Sequence, residues 1–336
     1  MSEFVGAVLT RPVIDLDEAD NLLTRTWAIE GDLRPLPSER DRNFAVRVEG
    51  IDRFVLKISN ASEDPAFLEL QHAAMRRLVG AGVPCQVPVQ TAAGDDLAVI
   101  DGDRPLLARV LTWLPGRPLA TIAPQHRSPA LLADLGRVMG RTAAALVGFD
   151  HPAAHRPFQW SAEEGLAVIA AHASAVADPG RAALLARWQD RLTPLTSALP
   201  AFRHGVIHND GNDHNVLVAD DGASISGLLD LGDAIWSVTV NELAVAGAYA
   251  ALDAPDPMAT IAAVRAGFEE AMPLVDPEGA LLVDLVALRL ATSVALSAHQ
   301  SRLDPDDPYL TVSEVPAWAL LERLLEVPPP TLEERR

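Results

Sequence analysis

The chain has 336 residues, with 27 Lys+Arg against 46 Asp+Glu and a formal net charge of −19. That excess of acid argues against nucleic acid and against an anionic membrane surface as partners, because both need a basic face. A composition of 49% hydrophobic and 22% charged residues is that of a globular chain. At this length one core nears its practical limit, so two lobes are expected, 1–112 and 113–336. The acidity suits a cationic small-molecule substrate and equally suits plain solubility. The single cysteine, Cys85, cannot form an internal disulfide, which points to a reducing, cytoplasmic compartment. Residues 1–10 lack a basic region followed by an apolar run, so no signal peptide is expected there. Apolar stretches such as 143–147 and 281–283 are too short to cross a bilayer. No obligate protein partner is evident.

In chain order, residues 17–27 have helical spacing with acidic residues at the start. Runs 44–48 and 54–58 are β-rich, and Glu49-Gly50-Ile51-Asp52 between them predicts a hairpin. Pro65 opens a helix to about Val79, which stops at Gly80-Ala81-Gly82. Residues 83–89, 97–100 and 106–114 read as further apolar strands, the last ended by Pro115-Gly116. Helical patterns follow over 129–146, 162–176 and 181–192. A short β island near 205–231 interrupts them, and helix then resumes to Val327-Pro328-Pro329-Pro330, leaving a frayed tail at 333–336. The expected class is α+β: a small N-terminal β-sheet lobe with a helix, and a larger, mainly helical lobe carrying a β-hairpin.

The β island carries the chemistry. Val216-Leu217-Val218 and Ile225-Ser226-Gly227-Leu228-Leu229 are two apolar strands, with Asp221-Gly222 as the turn signal between them. Pairing them about that turn brings Asn215 beside Asp230, and Asp210 lies on the loop that enters the hairpin. Three oxygen-bearing side chains converge with no thiolate nearby, a donor set that suits Mg²⁺ and hence phosphate. His208, Asp210 and Asn215 fill an H-x-D-x-x-x-x-N pattern, and Asp230-Leu231-Gly232 fills D-x-G. In the phosphoryl-transfer template the loop Asp accepts the hydroxyl proton, while the Asn and the turn Asp hold the metal. The bland alternative is that these residues only cap turns.

The first lobe offers an independent check. Lys57 lies inside the apolar strand Val55-Leu56-Lys57-Ile58, where a lysine needs an anion. The template places such a lysine on the α/β-phosphates and holds it with a helix glutamate, here Glu69. The alternative is a snorkelling lysine and a surface glutamate. No G-x-G-x-x-G loop precedes the hairpin. The stretch Leu36-Pro37-Ser38-Glu39-Arg40-Asp41-Arg42-Asn43-Phe44 instead offers backbone N–H groups, the Ser38 hydroxyl, and Arg42 or Asn43 to phosphates. An activation segment ending in A-P-E is also missing: eight residues separate Asp233 from Glu242, so a small molecule rather than a protein is the expected acceptor.

Four passages resemble the aminoglycoside phosphotransferase and choline kinase superfamily, and within it most resemble the hydroxylysine kinases. They are 36–44 running into Phe54-Val55-Leu56-Lys57-Ile58-Ser59-Asn60, then Leu111-Thr112-Trp113-Leu114-Pro115-Gly116-Arg117-Pro118, then Asn212-Asp213-His214-Asn215, and Gly227-Leu228-Leu229-Asp230-Leu231-Gly232-Asp233 followed by Asn241-Glu242-Leu243-Ala244-Val245-Ala246. The resemblance implies a bilobal protein-kinase-like fold with nucleotide between the lobes. By matching position it implies Leu111-Thr112-Trp113 as the hinge, Lys57 and Glu69 on the phosphates, Asp210 as base, and Asn215 and Asp230 as metal ligands. Hydroxylysine kinases use GTP and most of the superfamily uses ATP, so ATP or GTP is expected as donor. Two positions depart from the family pattern: Asn209 replaces its usual Gly, and Leu231 its usual aromatic. Asn tolerates a left-handed backbone, and Leu can fill the same socket.

Around Asp210 the extra acids Asp213, Asp233 and Glu242 suit an ammonium group on the acceptor. Trp160, Trp236 and Tyr249 could face that cation or pack as core. Glu242 could instead brace the helix after the metal turn, and His208 the catalytic loop. The expected activity is phosphoryl transfer to an amino alcohol or hydroxylated amino acid. The rivals are an aminoglycoside O-phosphotransferase and a non-catalytic nucleotide-binding pseudokinase.

Overall fold

A computed structural model describes residues 11–38, 40–276, 278–303 and 314–330. The expectations for 1–10 and for 333–336 lie outside them. The chain divides into two compact units, Met1–Pro115 and Gly116–Arg336.

The first unit contains α1 (Leu16–Trp27), β1 (Asp32–Leu36), β2 (Arg42–Val48), β3 (Ile51–Ile58), α2 (Pro65–Gly80), β4 (Pro88–Val89), β5 (Ala98–Ile100) and β6 (Leu106–Thr112). A reciprocal capping box starts α1: the Glu18 N–H donates to Asp15 Oδ1 at 2.8 Å and the Asp15 N–H to Glu18 Oε2 at 3.0 Å. The sheet is antiparallel, in the order β1-β2-β3-β6-β4 with β5 also on β6. Glu49 and Gly50 both have positive φ, 51° and 78°, the geometry of the two-residue turn that matches strand twist. Leu23 and Trp27 of α1 pack with Phe44, Leu56, Ile58 and Val110 in the core. The sequence reading misses β1, which carries Pro35. As an edge strand it tolerates a residue with no N–H to give. Of the run 83–89 only Pro88 and Val89 form a strand.

The second unit contains β7 (Arg117–Pro118), α3 (Pro129–Leu146), α4 (Gly165–His172), α5 (Pro179–Ala198), β8 (His204–Ile207), β9 (Val216–Val218), β10 (Ile225–Leu228), β11 (Ile235–Val238), α6 (Asn241–Ala251), α7 (Pro257–Glu269), α8 (Leu282–Leu303) and α9 (Glu314–Leu325). Helices α3, α5 and α7 begin alike. Ser128, Asp178 and Asp256 each accept a backbone N–H as N-cap, and proline occupies the first turn, where its missing donor costs nothing. Helices α3 and α7 pack closely enough that a Cβ on Gly136 would fall 1.8 Å from the Val264 carbonyl oxygen. Among the described residues α8 alone is long and apolar enough to cross a membrane, yet 78% of its apolar window is buried inside the fold. Two small sheets interrupt the helices, β10-β9-β7 and β11-β8.

Candidate active site

Strands β9 and β10 pair Val216 with Leu228, and the Leu229 N–H donates to the Asn215 carbonyl at 2.8 Å. Asn215 therefore lies beside the residue that precedes Asp230. The connection is longer than a two-residue turn: Asp221 Oδ1 collects the N–H groups of Ala223 (2.8 Å) and Ser224 (3.1 Å). Asp230 has φ 53°, and its Oδ1 accepts the Gly232 N–H at 2.9 Å, which shapes the D-x-G turn. Leu231 is fully buried, filling its socket.

The loop before the hairpin is held from beneath. Asn209 adopts the left-handed conformation, φ 66°. Its Nδ2 donates to the Trp160 carbonyl at 3.2 Å, and its Oδ1 accepts from Asn241 Nδ2 at 2.9 Å. His208 is buried and bridges two backbone groups: Nε2 contacts the Leu229 carbonyl at 2.8 Å, and Nδ1 accepts the Asp210 N–H at 3.2 Å. Burial keeps its pKa low, against the opposing influences of Leu229 and Asp230. Glu242 lies fully buried in the first turn of α6. Its carboxylate accepts the N–H groups of His208 and, at 3.3 Å, Asn209. Glu242 is thus a brace for the loop and not a substrate contact.

Asp210 stands at the centre. Its Oδ2 accepts Asn215 Nδ2 at 2.6 Å, and its Oδ1 accepts Asn212 Nδ2 at 2.9 Å and Arg289 Nη2 at 3.0 Å. Burial first, then repulsion from Asp233 and Asp230, outweigh Arg289 and Asn212 and push its carboxyl up to about 8. Because Asn215 donates through Nδ2, its Oδ1 remains an acceptor next to the Asp230 turn. Asn215 and Asp230 supply neutral and charged oxygen. Among the described residues no group of three His, Cys, Asp or Glu is arranged to hold a metal.

The expected ammonium pocket is rebuilt by two arginines. Asp213 pairs with buried Arg127 at 3.1 Å, so its charge is already compensated. Trp160 and Tyr249 carry the guanidinium of Arg289 over their rings, 4.4 and 5.6 Å from the centroids. The cation they face therefore belongs to the protein. Trp236 stacks on His155 at 4.9 Å between centroids. Asp233 acts by its charge on both Asp210 and Arg289. Sequence reasoning overlooks Arg289, although a lone arginine in the apolar run of α8 is itself a signal, since a buried charge must find a partner.

In the first unit, Lys57 on β3 stands between Asn43 of β2 and Arg109 of β6 in register. Glu69 is exposed on α2 and forms no ion pair among the described residues, so the expected Lys57–Glu69 bridge is not made here. The inner face of α2 is taken by Leu68, Gln71, His72 and Met75, and the Gln71 Oε1 makes no hydrogen bond among the described residues. Ser38 Oγ accepts the Asp41 N–H at 3.2 Å, and Asn43 Oδ1 is buried without a partner among the described residues. At the expected hinge, Leu111 is buried within the sheet, the Thr112 N–H donates to Val87 and the Trp113 N–H to Arg53. Those two backbone donors are already in use.

The family model described as a phosphotransferase enzyme family matches residues 32–278. The chain belongs to the phosphotransferase enzyme family. It is therefore an enzyme of phosphoryl transfer, with an alcohol group as acceptor. Hydroxylysine kinase of Danio rerio is 30% identical over 346 residues, covering 97% of this chain and 96% of that protein. Two solved structures share the fold. An amicoumacin kinase in complex with AMP-PNP, Ca²⁺ and its ligand has a TM-score of 0.70 at 16% identity, covering 92% of this chain and 94% of the other. A microcompartment-associated aminopropanol kinase has a TM-score of 0.70 at 19% identity, covering 93% and 98%. The α+β, two-lobed kinase-like class of this phosphotransferase follows from its elements and these likenesses. The matched span 32–278 contains the His208–Asn215 loop, the β9–β10 hairpin and the Asp230 turn.

Proposed function

We propose that this phosphotransferase is a small-molecule kinase moving the γ-phosphate of ATP or GTP to the hydroxyl of an amino alcohol or hydroxylated amino acid, with 5-hydroxylysine the first acceptor to test. The observation that carries this is Asp210, held between Asn215 and Arg289 on a loop braced by Glu242. A carboxylate whose proton affinity is raised is matched to accepting a hydroxyl proton near neutral pH. The near-full-length likeness to hydroxylysine kinases supports the acceptor class.

Asn215 Oδ1 and Asp230 fit Mg²⁺, which takes one or two carboxylates and fills its octahedron with water and phosphate oxygens. The crowding of Asp210, Asp230 and Asp233 favours a divalent cation there. When bound, the ion neutralises charge developing on the phosphate. Lys57, with Asn43 and Ser38 on the neighbouring strand and loop, anchors phosphates, and residues 111–113 flank the base. Asp210 takes the proton and orients the hydroxyl. A cytoplasmic location and the absence of nucleic-acid or membrane partners belong to the same reading.

The test is a survey of 5-hydroxylysine, small amino alcohols and aminoglycosides with ATP and with GTP in Mg²⁺. The reading expects a phosphate ester on an amine-bearing small alcohol. Preference for aminoglycosides, or nucleotide binding without transfer to any acceptor, would contradict it.

A further inference from the structure

Two arginines of the second unit are buried beside the catalytic loop, and they differ in one respect. Arg127 is saturated: Nε donates to the Ile122 carbonyl, Nη1 to Ala250, and Nη2 to Leu119 and Asp213. Arg289 is 6% exposed; its Nη2 donates to Asp210 Oδ1 at 3.0 Å, and the Tyr249 side chain is a further polar partner. Its Nε and Nη1 make none among the described residues. Trp160 and Tyr249 cover the guanidinium, so the group is approachable along its edges. Beside it lies a narrow crevice lined by Trp160, Ser161, Asn241 and Thr292. A buried guanidinium with open donors in a planar fork matches a carboxylate or phosphate oxygen pair.

The two oxygens of Asp210 decide between those anions. Oδ2 is held by Asn215, the residue next to the Asp230 turn, the side proposed above for metal and phosphate. Oδ1 faces Asn212 and Arg289. On that proposed arrangement the guanidinium that reaches Oδ1 stands on the side of the base opposite the transferred phosphate, where the acceptor's own substituents belong.

We infer that Arg289 is the receptor for a carboxylate on the acceptor, so that the enzyme selects hydroxylated amino acids over simple amino alcohols and aminoglycosides. This rests on the phosphotransfer reading above and narrows its substrate class. The carboxylate fills the donors that Arg289 leaves open, and the same guanidinium keeps its hold on Asp210. Acceptor and base are then oriented by one rigid group, which lowers the entropic barrier to attack. A site built this way rejects an analogue lacking the anion, because buried charged donors are left without partners.

The test compares 5-hydroxylysine with its carboxamide and its decarboxylated amine at saturating nucleotide and Mg²⁺. For the wild-type enzyme kcat/KM should fall at least about 100-fold when the carboxylate is removed. In Arg289→Lys and Arg289→Met that ratio should shrink to within about threefold. A residue that merely held Asp210 in place would lower turnover of all three compounds alike and leave the ratio intact. Calorimetry with lysine and cadaverine, which lack the hydroxyl, reads recognition apart from transfer and should show the same preference for the carboxylate. Equal kcat/KM for the three acceptors in the wild type overturns the inference, even if Arg289→Met fails to fold, and leaves the kinase reading standing. A ratio preserved in Arg289→Lys overturns it as well. Transfer to none of the acceptors, with lysine and cadaverine bound equally, defeats both.

Discussion

Replacing Glu242 by glutamine separates the charge of the loop brace from its shape. In the folded protein the carboxylate is fully buried and accepts two backbone N–H groups, from His208 and Asn209. Burial pushes its carboxyl from the ordinary 4.5 up to about 7, against the pull of those two donors. A carboxyl whose folded pKa lies above its unfolded value holds its proton more strongly in the native state. Its contribution is therefore complete below about pH 4.5 and is lost as pH rises to about 7. At about 1.4 kcal/mol per pH unit, that interval amounts to about 3 kcal/mol of native stability lost through this one group. Glutamine cannot titrate. Its amide oxygen can serve one donor, but its NH₂ faces the second, which costs about 1–3 kcal/mol. Glu242→Gln should therefore be less stable than wild type at pH 5 and should close or reverse that deficit by pH 8. Urea unfolding of both proteins across this range gives the difference directly, and groups common to both, Asp210 among them, cancel. Stability curves that stay parallel from pH 5 to pH 8 would refute the account of Glu242 as a buried, reluctantly charged brace.

Asp230→Ala should raise the Mg²⁺ requirement sharply and weaken nucleotide binding, whereas Asn215→Ala should do less, since a neutral ligand is lost. Metal titration of nucleotide affinity distinguishes them, and unchanged metal dependence in both variants would remove the hairpin-edge site. Gly136→Ala should cost about 3 kcal/mol or more, or prevent folding, because its Cβ would meet the Val264 carbonyl at 1.8 Å and a backbone cannot move aside cheaply. Gly50→Ala meets nothing within 4 Å and should cost only about 1 kcal/mol through its φ of +78°, as thermal unfolding would show.

Features with local physical causes were legible in the chain. The helix 129–146 announces itself through Ser128 and Pro129, and the β9–β10 hairpin through two apolar runs about an Asp-Gly turn. Asp210, Asn215 and Asp230 could be placed together because one hairpin joins them and the loop is short. What depended on distant contacts was not legible. Strands β8 and β11 pair across some thirty residues and have no turn signal between them. Helix α5 runs past the expected end at Leu192 because Pro194 is accommodated inside it. The helix face of α2 is decided by packing, which leaves Glu69 outside and Gln71 inside. The acidic residues near Asp210 read as a cation receptor only while Arg127 and Arg289 are overlooked. These arginines meet Asp213 and Asp210 across 86 and 79 positions of sequence. Spacing cannot express that, and composition, with its strong acidic excess, pointed away from it.

The most direct test of Asp210 as the centre of phosphoryl transfer follows formation of the phosphate ester on 5-hydroxylysine by wild type and by Asp210→Asn, with nucleotide affinity measured on the same samples. The account predicts that Asp210→Asn lowers turnover by about 10² to 10⁴ while nucleotide affinity stays close to that of wild type. Turnover within a few-fold of wild type would contradict it.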